Sequence, residues 1–328
     1  MHNNKTDKKA SHSFLSVSKN TTTSLKIISV DPKECVFQLK NNSYIKIVKL
    51  LKFDELSKEQ KEQFFKELLD KVNLRMRITT YYNPENNSAE NYLTLFYTTE
   101  KYTAVKEKFD KALSVLQDLL KIYGAGLQKI DLDEIMQDVQ KNTGMPQNFS
   151  YTSAIRGKKD WKRLLFNSIE EEDTYFNVGD TIMSPYFAVN IGNVENQNLA
   201  CEVKNFGVPF YFACDFQKID SDTNMKFNKL LANKYNRGSS FADIDAEDEV
   251  NFSFSFAFLA DSKDTQKVVE DALLLIFAGN RITVSSLNAT TILLESILSF
   301  GLVDFCAMRN TKMDNLSILS LNKTEEEK

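Results

Sequence analysis

The sequence predicts an α+β protein with antiparallel sheets, in which the element order β-α-β-β-α-β occurs twice. Two observations predict this architecture. Segments with strand-like patterning and segments with helical periodicity follow one another in the same order in both halves of the chain. Hydrophobic residues make up 42% of the 328 residues, which is enough to bury a sizeable core. Each half is expected to have its own sheet and its own apolar interior.

The first half begins with a polar tail and continues with short strands separated by turn residues. Its predicted strands are residues 25–30, 35–40, 44–51, 74–82, 92–97 and 127–130. Ser57, with Gln60 at the capping-box position, predicts the start of the first helix. Further helices are predicted through residues 105–123 and 135–139. Strand 74–82 alternates apolar residues with Arg75, Arg77 and Thr79, which predicts a half-buried strand.

The second half repeats this order after a glycine- and proline-containing boundary at residues 141–146. Its predicted strands are residues 187–191, 208–216, 251–259 and 281–285. Its predicted helices run through residues 194–203, 268–277 and 292–298, and Val268 is counted in the apolar stripe of the second of these. The patterns in residues 149–179 fit a strand, a loop or a short helix.

Both halves therefore read as the split β-α-β arrangement of ferredoxin-like domains, and the fold predicted is a tandem of such units. The second unit differs by an insertion where the first has only a turn. The predicted organisation is a polar tail at 1–20, a first α+β unit at 21–145, a linker and second unit at 146–321 with the insertion 218–249, and a charged tail at 322–328.

Several classes of function are disfavoured by the residues present. The formal net charge of −4 does not indicate a nucleic-acid or membrane partner. No G-x-x-x-x-G-K-[S/T] motif occurs, and the two histidines, His2 and His12, lie in the polar tail. The four cysteines, Cys35, Cys201, Cys214 and Cys306, lack metal-ligand spacing and are predicted to be free thiols. The chain is predicted not to be an enzyme and to need no cofactor or metal.

Four phenylalanines, Phe252, Phe254, Phe256 and Phe258, alternate with small or polar residues, so their rings lie on one face of a strand. Burial beneath helices is the expected use of these rings. The opposite face, which carries Ser253, Ser255 and Ala257, is expected to be open to another domain or subunit. The alternative is a single-stranded nucleic-acid-binding protein that stacks bases on the rings.

The insertion carries several lysines and an arginine. Such a lysine-bearing helix is typical of a solvated face, and less often of a docking surface for phosphate or acidic partners. The candidate docking residues are Lys226, Lys229, Lys234 and Arg237.

Several segments together carry a family resemblance. They are Phe14-Leu15-Ser16, the hairpin ending at Asn41-Asn42-Ser43, the helix start Leu56-Ser57-Lys58-Glu59-Gln60, the link Lys158-Lys159-Asp160-Trp161, Pro185-Tyr186-Phe187, and Arg281-Ile282-Thr283-Val284. In content and order they resemble the N-terminal region of the VirB/TrbE/CagE family of type IV secretion and conjugation ATPases. In that family this region precedes a RecA-like motor that carries the P-loop.

The resemblance implies a motorless relative, a separately encoded half or a fragment, because the sequence ends at Lys328 where the motor would begin. It further implies partners, namely the secretion-system ATPase motor and small inner-membrane subunits, and a role in homo-oligomer formation. The predicted function is a non-catalytic assembly or docking subunit of a conjugative or type IV secretion apparatus. The location that the resemblance implies is cytoplasmic and peripheral at the inner face of the cell membrane. No apolar run in the sequence is long enough to cross a bilayer.

Overall fold

The structure is a computed structural model that describes residues 27–39, 42–99, 102–143, 169–172, 175–178, 181–191, 199–218, 249–280, 282–285 and 309–312. The strands in these ranges are β1 (Ile27–Asp31), β2 (Val36–Leu39), β3 (Ser43–Leu51), β4 (Arg75–Asn83), β5 (Ser88–Thr98), β6 (Gly126–Lys129), β7 (Ile169–Glu171), β8 (Phe176–Val178), β9 (Thr181–Ile191), β10 (Phe210–Lys218), β11 (Glu249–Ala260), β12 (Ile282–Ser285) and β13 (Arg309–Lys312). The helices are α1 (Lys58–Lys71), α2 (Tyr102–Ile122), α3 (Leu132–Thr143), α4 (Leu199–Lys204) and α5 (Lys263–Gly279).

Two helices of the first half begin at reciprocal capping contacts. The backbone N–H of Gln60 donates to Ser57 Oγ at 3.2 Å, and the backbone N–H of Ser57 donates to Gln60 Oε1 at 2.9 Å. The capping box predicted for α1 is thus confirmed. Asp131 and Glu134 form the same reciprocal pair at the start of α3, with both distances at 2.9 Å. Each pair satisfies backbone N–H groups that have no partner within the helix.

The described strands form one antiparallel sheet. Ten strands follow the order β1-β2-β3-β5-β4-β10-β11-β9-β8-β7, while β6 pairs with β3, β12 with β9 and β13 with β11. The chain is therefore a mixed α+β protein with an antiparallel sheet, as the sequence predicts. Strands β7 and β8 lie in the region that the sequence left open between a strand, a loop and a short helix, and β13 was not predicted.

The two halves of the sheet have the same order of elements. The first half runs β3-α1-β4-β5-α2-β6, and its strands lie side by side as β6-β3-β5-β4. The second half runs β9-α4-β10-β11-α5-β12, and its strands lie as β12-β9-β11-β10. A short antiparallel hairpin precedes each half, β1–β2 in the first and β7–β8 in the second.

The expectation of two separate sheets is wrong, because β4 of the first half pairs with β10 of the second. The register runs from Tyr82 opposite Phe210 to Met76 opposite Phe216. Each strand would otherwise be an edge of its own sheet, with a row of unpaired backbone groups. Pairing satisfies those groups and makes the two halves one continuous sheet.

A buried ion pair lies across this junction. Asp215 of β10 is in register with Arg77 of β4 and with Ser253 of β11. Arg77 Nε donates to Asp215 Oδ1 at 3.0 Å and Arg77 Nη2 donates to Oδ2 at 2.6 Å, which makes the pair bidentate. Arg75 Nη2 and Ser253 Oγ donate to the same carboxylate at 3.3 and 3.1 Å. Arg77 and Asp215 are both fully buried, so the bidentate pair compensates their charges, with Arg75 as a second cationic partner of the carboxylate.

One face of the sheet, called here the helix face, carries the main apolar core under α1, α2, α4 and α5. Phe254, Phe256 and Phe258 are buried there, which confirms the predicted burial of three rings; the side chain of Phe252 lies outside the described ones. Phe212 of β10 contacts Phe254 with ring centroids 4.4 Å apart. The apolar rows of the two halves therefore form one core across the junction.

The opposite face, called here the second face, was predicted to be polar and open, and this is wrong for the described residues. Ser253, Ser255 and Ala257 are buried, as are Arg77 and Thr79, which the sequence placed on the exposed side of a half-buried strand. Alternation along β4, β10 and β11 therefore separates two buried faces rather than an inner and an outer one.

Several predicted features lie outside the described residues. They are the polar tail at 1–20, the boundary residues 144–146, the helix through 292–298, the charged tail at 322–328 and the interior of the insertion. The predicted domain limits at 21–145 and 146–321 therefore stay predictions.

Lys61 is an unusual buried charge in the first half. Its side chain is 1% exposed, and its ammonium nitrogen lies 5.3 Å from the centre of the Phe53 ring. It is in the first turn of α1, where the helix dipole disfavours a positive charge. Burial lowers the pKa of Lys61 to about 8, partly opposed by the nearby carboxylate of Asp54.

Removing one member of the buried pair should weaken the whole domain. We expect Arg77→Met to lower the free energy of unfolding by about 3 kcal/mol, because Asp215 loses its buried bidentate partner and keeps only the 3.3 Å contact with Arg75. The double variant Arg77→Met/Asp215→Leu should recover most of this loss. Urea unfolding measures the free energy of unfolding of the single and the double variant. The matched control is Lys218→Met, which breaks the exposed 2.8 Å pair of Lys218 with Asp70, also between the halves, and should cost less than about 1 kcal/mol. Equal losses in the two single variants would contradict this account.

The buried lysine should give stability a distinctive pH dependence. Since the pKa of Lys61 is about 8 in the folded chain and about 10.4 when unfolded, unfolding takes up a proton between these values. Stability should therefore rise from pH 8 to 10.4, by roughly 1–3 kcal/mol relative to Lys61→Met. Chemical denaturation at several pH values tests this. Lys66→Met, at an exposed position of α1, should show the same pH dependence of stability as the wild type. If the stability difference between the wild type and Lys61→Met does not change with pH, the lowered pKa of Lys61 is refuted.

Candidate functional site

The repeated architecture gives an internal reference for locating a site. Helix α2 follows β5 and precedes β6, and helix α5 follows β11 and precedes β12, so the two helices have the same place in their halves. When they are aligned at their last residues, Ile122 and Gly279, buried Leu116 matches buried Leu273 and buried Leu120 matches buried Phe277. Features shared by both halves serve the fold, whereas features of one half are candidates for function.

The inner side of α5 packs on the helix face of the sheet. Ser262 caps the helix, since its Oγ accepts the backbone N–H of Thr265 at 3.2 Å. Phe277 packs edge-on against Phe254 and Phe256, with ring centroids 6.0 and 6.1 Å apart. These contacts fix which side of α5 faces outward.

A polar network also holds α5 on strand β9. Tyr186 OH donates to Glu270 Oε1 at 2.6 Å, and Gln266 Nε2 donates to Glu270 Oε2 at 3.0 Å and to Ser184 Oγ at 3.1 Å. Burial and the hydrogen bond to the Glu270 carboxylate raise the pKa of Tyr186 well above its usual range. The phenol therefore stays protonated and keeps donating to Glu270 across the neutral range.

Helix α5 exposes apolar residues at three positions where α2 has charged or polar ones, although α2 exposes Tyr102 and Ile122 at its two ends. Val268, Leu274 and Leu275 are 69%, 42% and 75% exposed. In the alignment of the two helices, the residues of α2 at these places are Lys111, Gln117 and Asp118, all exposed. The same scaffold position thus accepts charged and polar side chains, so the fold does not require the exposed apolar residues of α5. Exposed apolar groups that the fold does not require are typical of a contact surface.

The end of the sheet beside this surface is also where the insertion leaves and rejoins the sheet. Strand β10 ends at Lys218 and β11 begins at Glu249, and Lys218 is in register with Val250. Helix α5 ends at this same end of the sheet. Strand β12 follows the helix and begins opposite Ile191, the last residue of β9. That end of β9 lies toward the start of β11. In the first half the corresponding strands β4 and β5 are joined by residues 84–87 alone. We call this region, formed by the outer side of α5 and the junctions at Lys218 and Glu249, the insertion end.

The candidate docking residues predicted from the sequence, Lys226, Lys229, Lys234 and Arg237, lie outside the described residues. Sequence reasoning missed the outer side of α5 and placed Val268 in the buried stripe, which is wrong. A usable signal was present, since the apolar run from Ala272 to Ala278 is longer than one face of a helix can bury.

Other clusters of ionisable residues have structural roles in the described chain. Lys49 Nζ donates to Asp138 Oδ2 at 3.1 Å, and the hydroxyl of Tyr92 donates to Asp138 and to Glu90. These bonds hold α3 on the second face. Burial raises the pKa of the Cys35 thiol to about 12, which makes it unreactive near neutral pH. Cys35 and Cys214 are free thiols, as predicted for them.

Within the described ranges, no group of three or more histidine, cysteine or acidic side chains is placed to hold a metal ion. None of the described helices is long and apolar enough to span a membrane. Comparisons of the chain with protein-family models and with curated proteins found no match.

The polar network under α5 should contribute measurably to stability. We expect Tyr186→Phe to lower the free energy of unfolding by about 1–3 kcal/mol, since the part-buried carboxylate of Glu270 loses a donor. Urea unfolding checks this value. Tyr102→Phe, at a half-exposed tyrosine of α2, is the control and should change stability by less than about 0.5 kcal/mol. An unchanged midpoint for Tyr186→Phe would show that the network does not hold α5.

Proposed function

We propose that this chain is a non-catalytic assembly or docking subunit that binds partner proteins at the insertion end. The observation that supports this is the asymmetry between two halves of the same topology. The exposed apolar residues of α5 and the long insertion both depart from the first half, and both occur at one end of the second half. Differences between the halves are expected to cluster in one region if that region evolved to bind other proteins while the rest of the second half kept the common fold.

The fold proposal is that each half is a ferredoxin-like unit and that the tandem is joined edge to edge through β4 and β10. Two features support it. Each half has the order β-α-β-β-α-β, and in each half the first and fourth strands are neighbours while the third lies between the first and second. In this arrangement the helices share one face, which leaves the outer side of α5 available for contact.

The biological setting that we propose is a conjugative or type IV secretion apparatus. It is supported by the resemblance of the sequence segments to the pre-motor region of the VirB/TrbE/CagE family. The partners proposed on this basis are the ATPase motor and small inner-membrane subunits, with the chain cytoplasmic and peripheral at the membrane. Oligomerisation with further copies belongs to the same proposal, as does the absence of catalysis.

Nucleic-acid binding through strand aromatics is not favoured by the packing. Phe254, Phe256 and Phe258 are at most 1% exposed. Stacking a base requires an open ring face, so these rings would have to leave the core first.

Capture of partners by the tagged full-length chain tests the proposal. Affinity purification from detergent-solubilised cells that express a secretion or conjugation system should recover its ATPase or inner-membrane subunits. The variant Lys226→Glu/Lys229→Glu should reduce that recovery at least about tenfold, because it reverses two charges of the insertion. The matched control is Lys106→Glu/Lys111→Glu, on exposed positions of α2, which should leave recovery unchanged. Recovery of no component of such an apparatus would overturn the proposed setting, and equal losses in both variants would overturn the proposed surface.

A further inference from the structure

A cavity of about 250 Å³ lies at β1, the strand at the outer edge of the first half. Residues of β1, β2 and β3 line it together with Tyr102 at the start of α2. Its volume exceeds the roughly 150 Å³ that accommodates benzene and is below the roughly 300–1,000 Å³ of pockets for drug-sized ligands. The cavity therefore has the size for a small organic group or for one side chain.

The tyrosine that helix α2 contributes to this cavity has no counterpart in the second half. Helix α2 has 21 residues and α5 has 17, so α2 is longer by about one turn. When the two helices are aligned at their last residues, Lys106 matches Lys263, the first residue of α5, and Tyr102 begins the additional turn. The rings of Tyr102 and Tyr44 have centroids 5.7 Å apart and planes at 46° to each other. By comparison of the halves, this aromatic wall is a candidate for function.

The cavity also has polar groups that can still form hydrogen bonds. The side chain of Tyr44 is 3% exposed, and its hydroxyl makes no hydrogen bond within the described residues. The hydroxyl of Ser29 donates to Gln38 Oε1 at 2.8 Å, so the oxygen of Ser29 can still accept a hydrogen bond. Buried polar groups are normally satisfied, which makes the hydroxyl of Tyr44 a contact point for a bound molecule.

Among the residues that line the cavity, only Asp31 is charged. Its Oδ1 accepts the backbone N–H groups of Lys33 and Glu34, each at 3.2 Å, which holds the carboxylate in the turn after β1. Within the described ranges, Oδ2 of Asp31 has neither a hydrogen bond nor an ion pair. Partial burial and the nearby carboxylates of Asp31 and Glu34 raise the pKa of the Tyr102 hydroxyl. A protonated phenol and a carboxylate therefore lie beside the cavity at neutral pH.

The basic residues near the cavity act mainly on Glu34. Lys46 Nζ donates to the carboxylate of Glu34 at 2.9 Å and to its backbone carbonyl at 2.7 Å. This contact and, more weakly, the charges of Lys129 and Lys106 lower the pKa of Glu34. Lys33 is exposed in the turn, and no ion pair of its ammonium group is found in the described part of the chain. The cavity itself thus keeps one negative charge that a bound group can compensate.

We propose that this cavity binds a singly charged organic cation, an alkylammonium or guanidinium group, with Asp31 as its counter-ion and the rings of Tyr44 and Tyr102 beside it. Aromatic rings attract such cations, and a carboxylate adds a charge-assisted hydrogen bond. The group belongs either to a free amine or to a lysine or arginine side chain of another protein. This inference goes beyond the proposed docking site, which lies in the second half, and does not depend on it.

Other ligand classes fit the lining residues less well. An anion would meet the carboxylate of Asp31 without a basic residue in the lining. A divalent cation such as Ca²⁺ or Mg²⁺ prefers several oxygen ligands with more than one carboxylate, and the lining supplies a single carboxylate. An organic cation needs only one counter-ion and uses the aromatic rings as well.

Methyl NMR of the full-length chain tests the cavity directly, because Val30 and Val36 line it. Titration with n-butylammonium chloride at constant ionic strength should shift the methyl resonances of both valines and reach saturation. Butyramide has a similar shape but no charge, so it should bind at least about tenfold more weakly.

Variants of the lining residues separate the charge from the rings. Asp31→Asn should weaken n-butylammonium binding at least about tenfold, because the charge is lost while the amide oxygen still accepts the N–H groups of the turn. The matched control Asp118→Asn, at an exposed position of α2, should bind as the wild type does. Tyr102→Leu should weaken binding roughly two- to fivefold, whereas Tyr102→Phe keeps the ring and should bind nearly as the wild type does.

Three results would overturn the proposal. They are equal affinities for butyramide and n-butylammonium, an unchanged affinity in Asp31→Asn, and unshifted valine methyl resonances up to about 100 mM n-butylammonium. The comparison of the two compounds uses the wild type alone, so it decides the matter even if Asp31→Asn does not fold.

A capped glycine-lysine-glycine peptide distinguishes the two sources of the cation. Tighter binding of the peptide than of n-butylammonium would support the proposal and assign the cavity to a basic side chain of another protein. Tighter binding of n-butylammonium would support it and assign the cavity to a free amine.

Discussion

The β4–β10 pairing, with the Arg77–Asp215 ion pair at its centre, is the contact on which the rest of the structure depends. It converts two edges into the interior of one sheet and brings a guanidinium from the first half to a carboxylate of the second. A buried pair of this kind contributes little net stability compared with apolar packing, but it strongly disfavours any register that separates the charges. A slip of one residue would place Arg77 and Asp215 on opposite faces. The pair thus specifies how the halves join.

In the joined sheet, the two faces hold different kinds of residues. The helix face collects the phenylalanine rows of β10 and β11 and the apolar residues of β4 and β5 into one core. The second face holds the Asp215 cluster and the contacts of Asp138 with Lys49 and Tyr92. These polar residues make hydrogen bonds within the fold, whereas Thr79 Oγ1 and Tyr211 OH on the same face are buried without a hydrogen-bond partner among the described residues.

The repeated topology makes the differences between the halves informative. Helix α2 has charged and polar residues where α5 exposes valine and leucine, and the turn at 84–87 corresponds to the whole insertion. Both differences occur at the insertion end.

The sequence alone determined the elements, because alternation, helical periodicity and capping residues such as Ser57 with Gln60 are local signals. It also determined that the rings at 254, 256 and 258 would be buried, since exposing them is costly. Only the tertiary structure decided that the strands form one sheet, because pairing between β4 and β10 joins residues more than a hundred positions apart. The burial of Ser253, Ser255 and Thr79, and the exposure of Val268, were also decided by the tertiary structure, because they depend on what packs against each side of an element. Periodicity divides an element into sides but does not state what lies against each side.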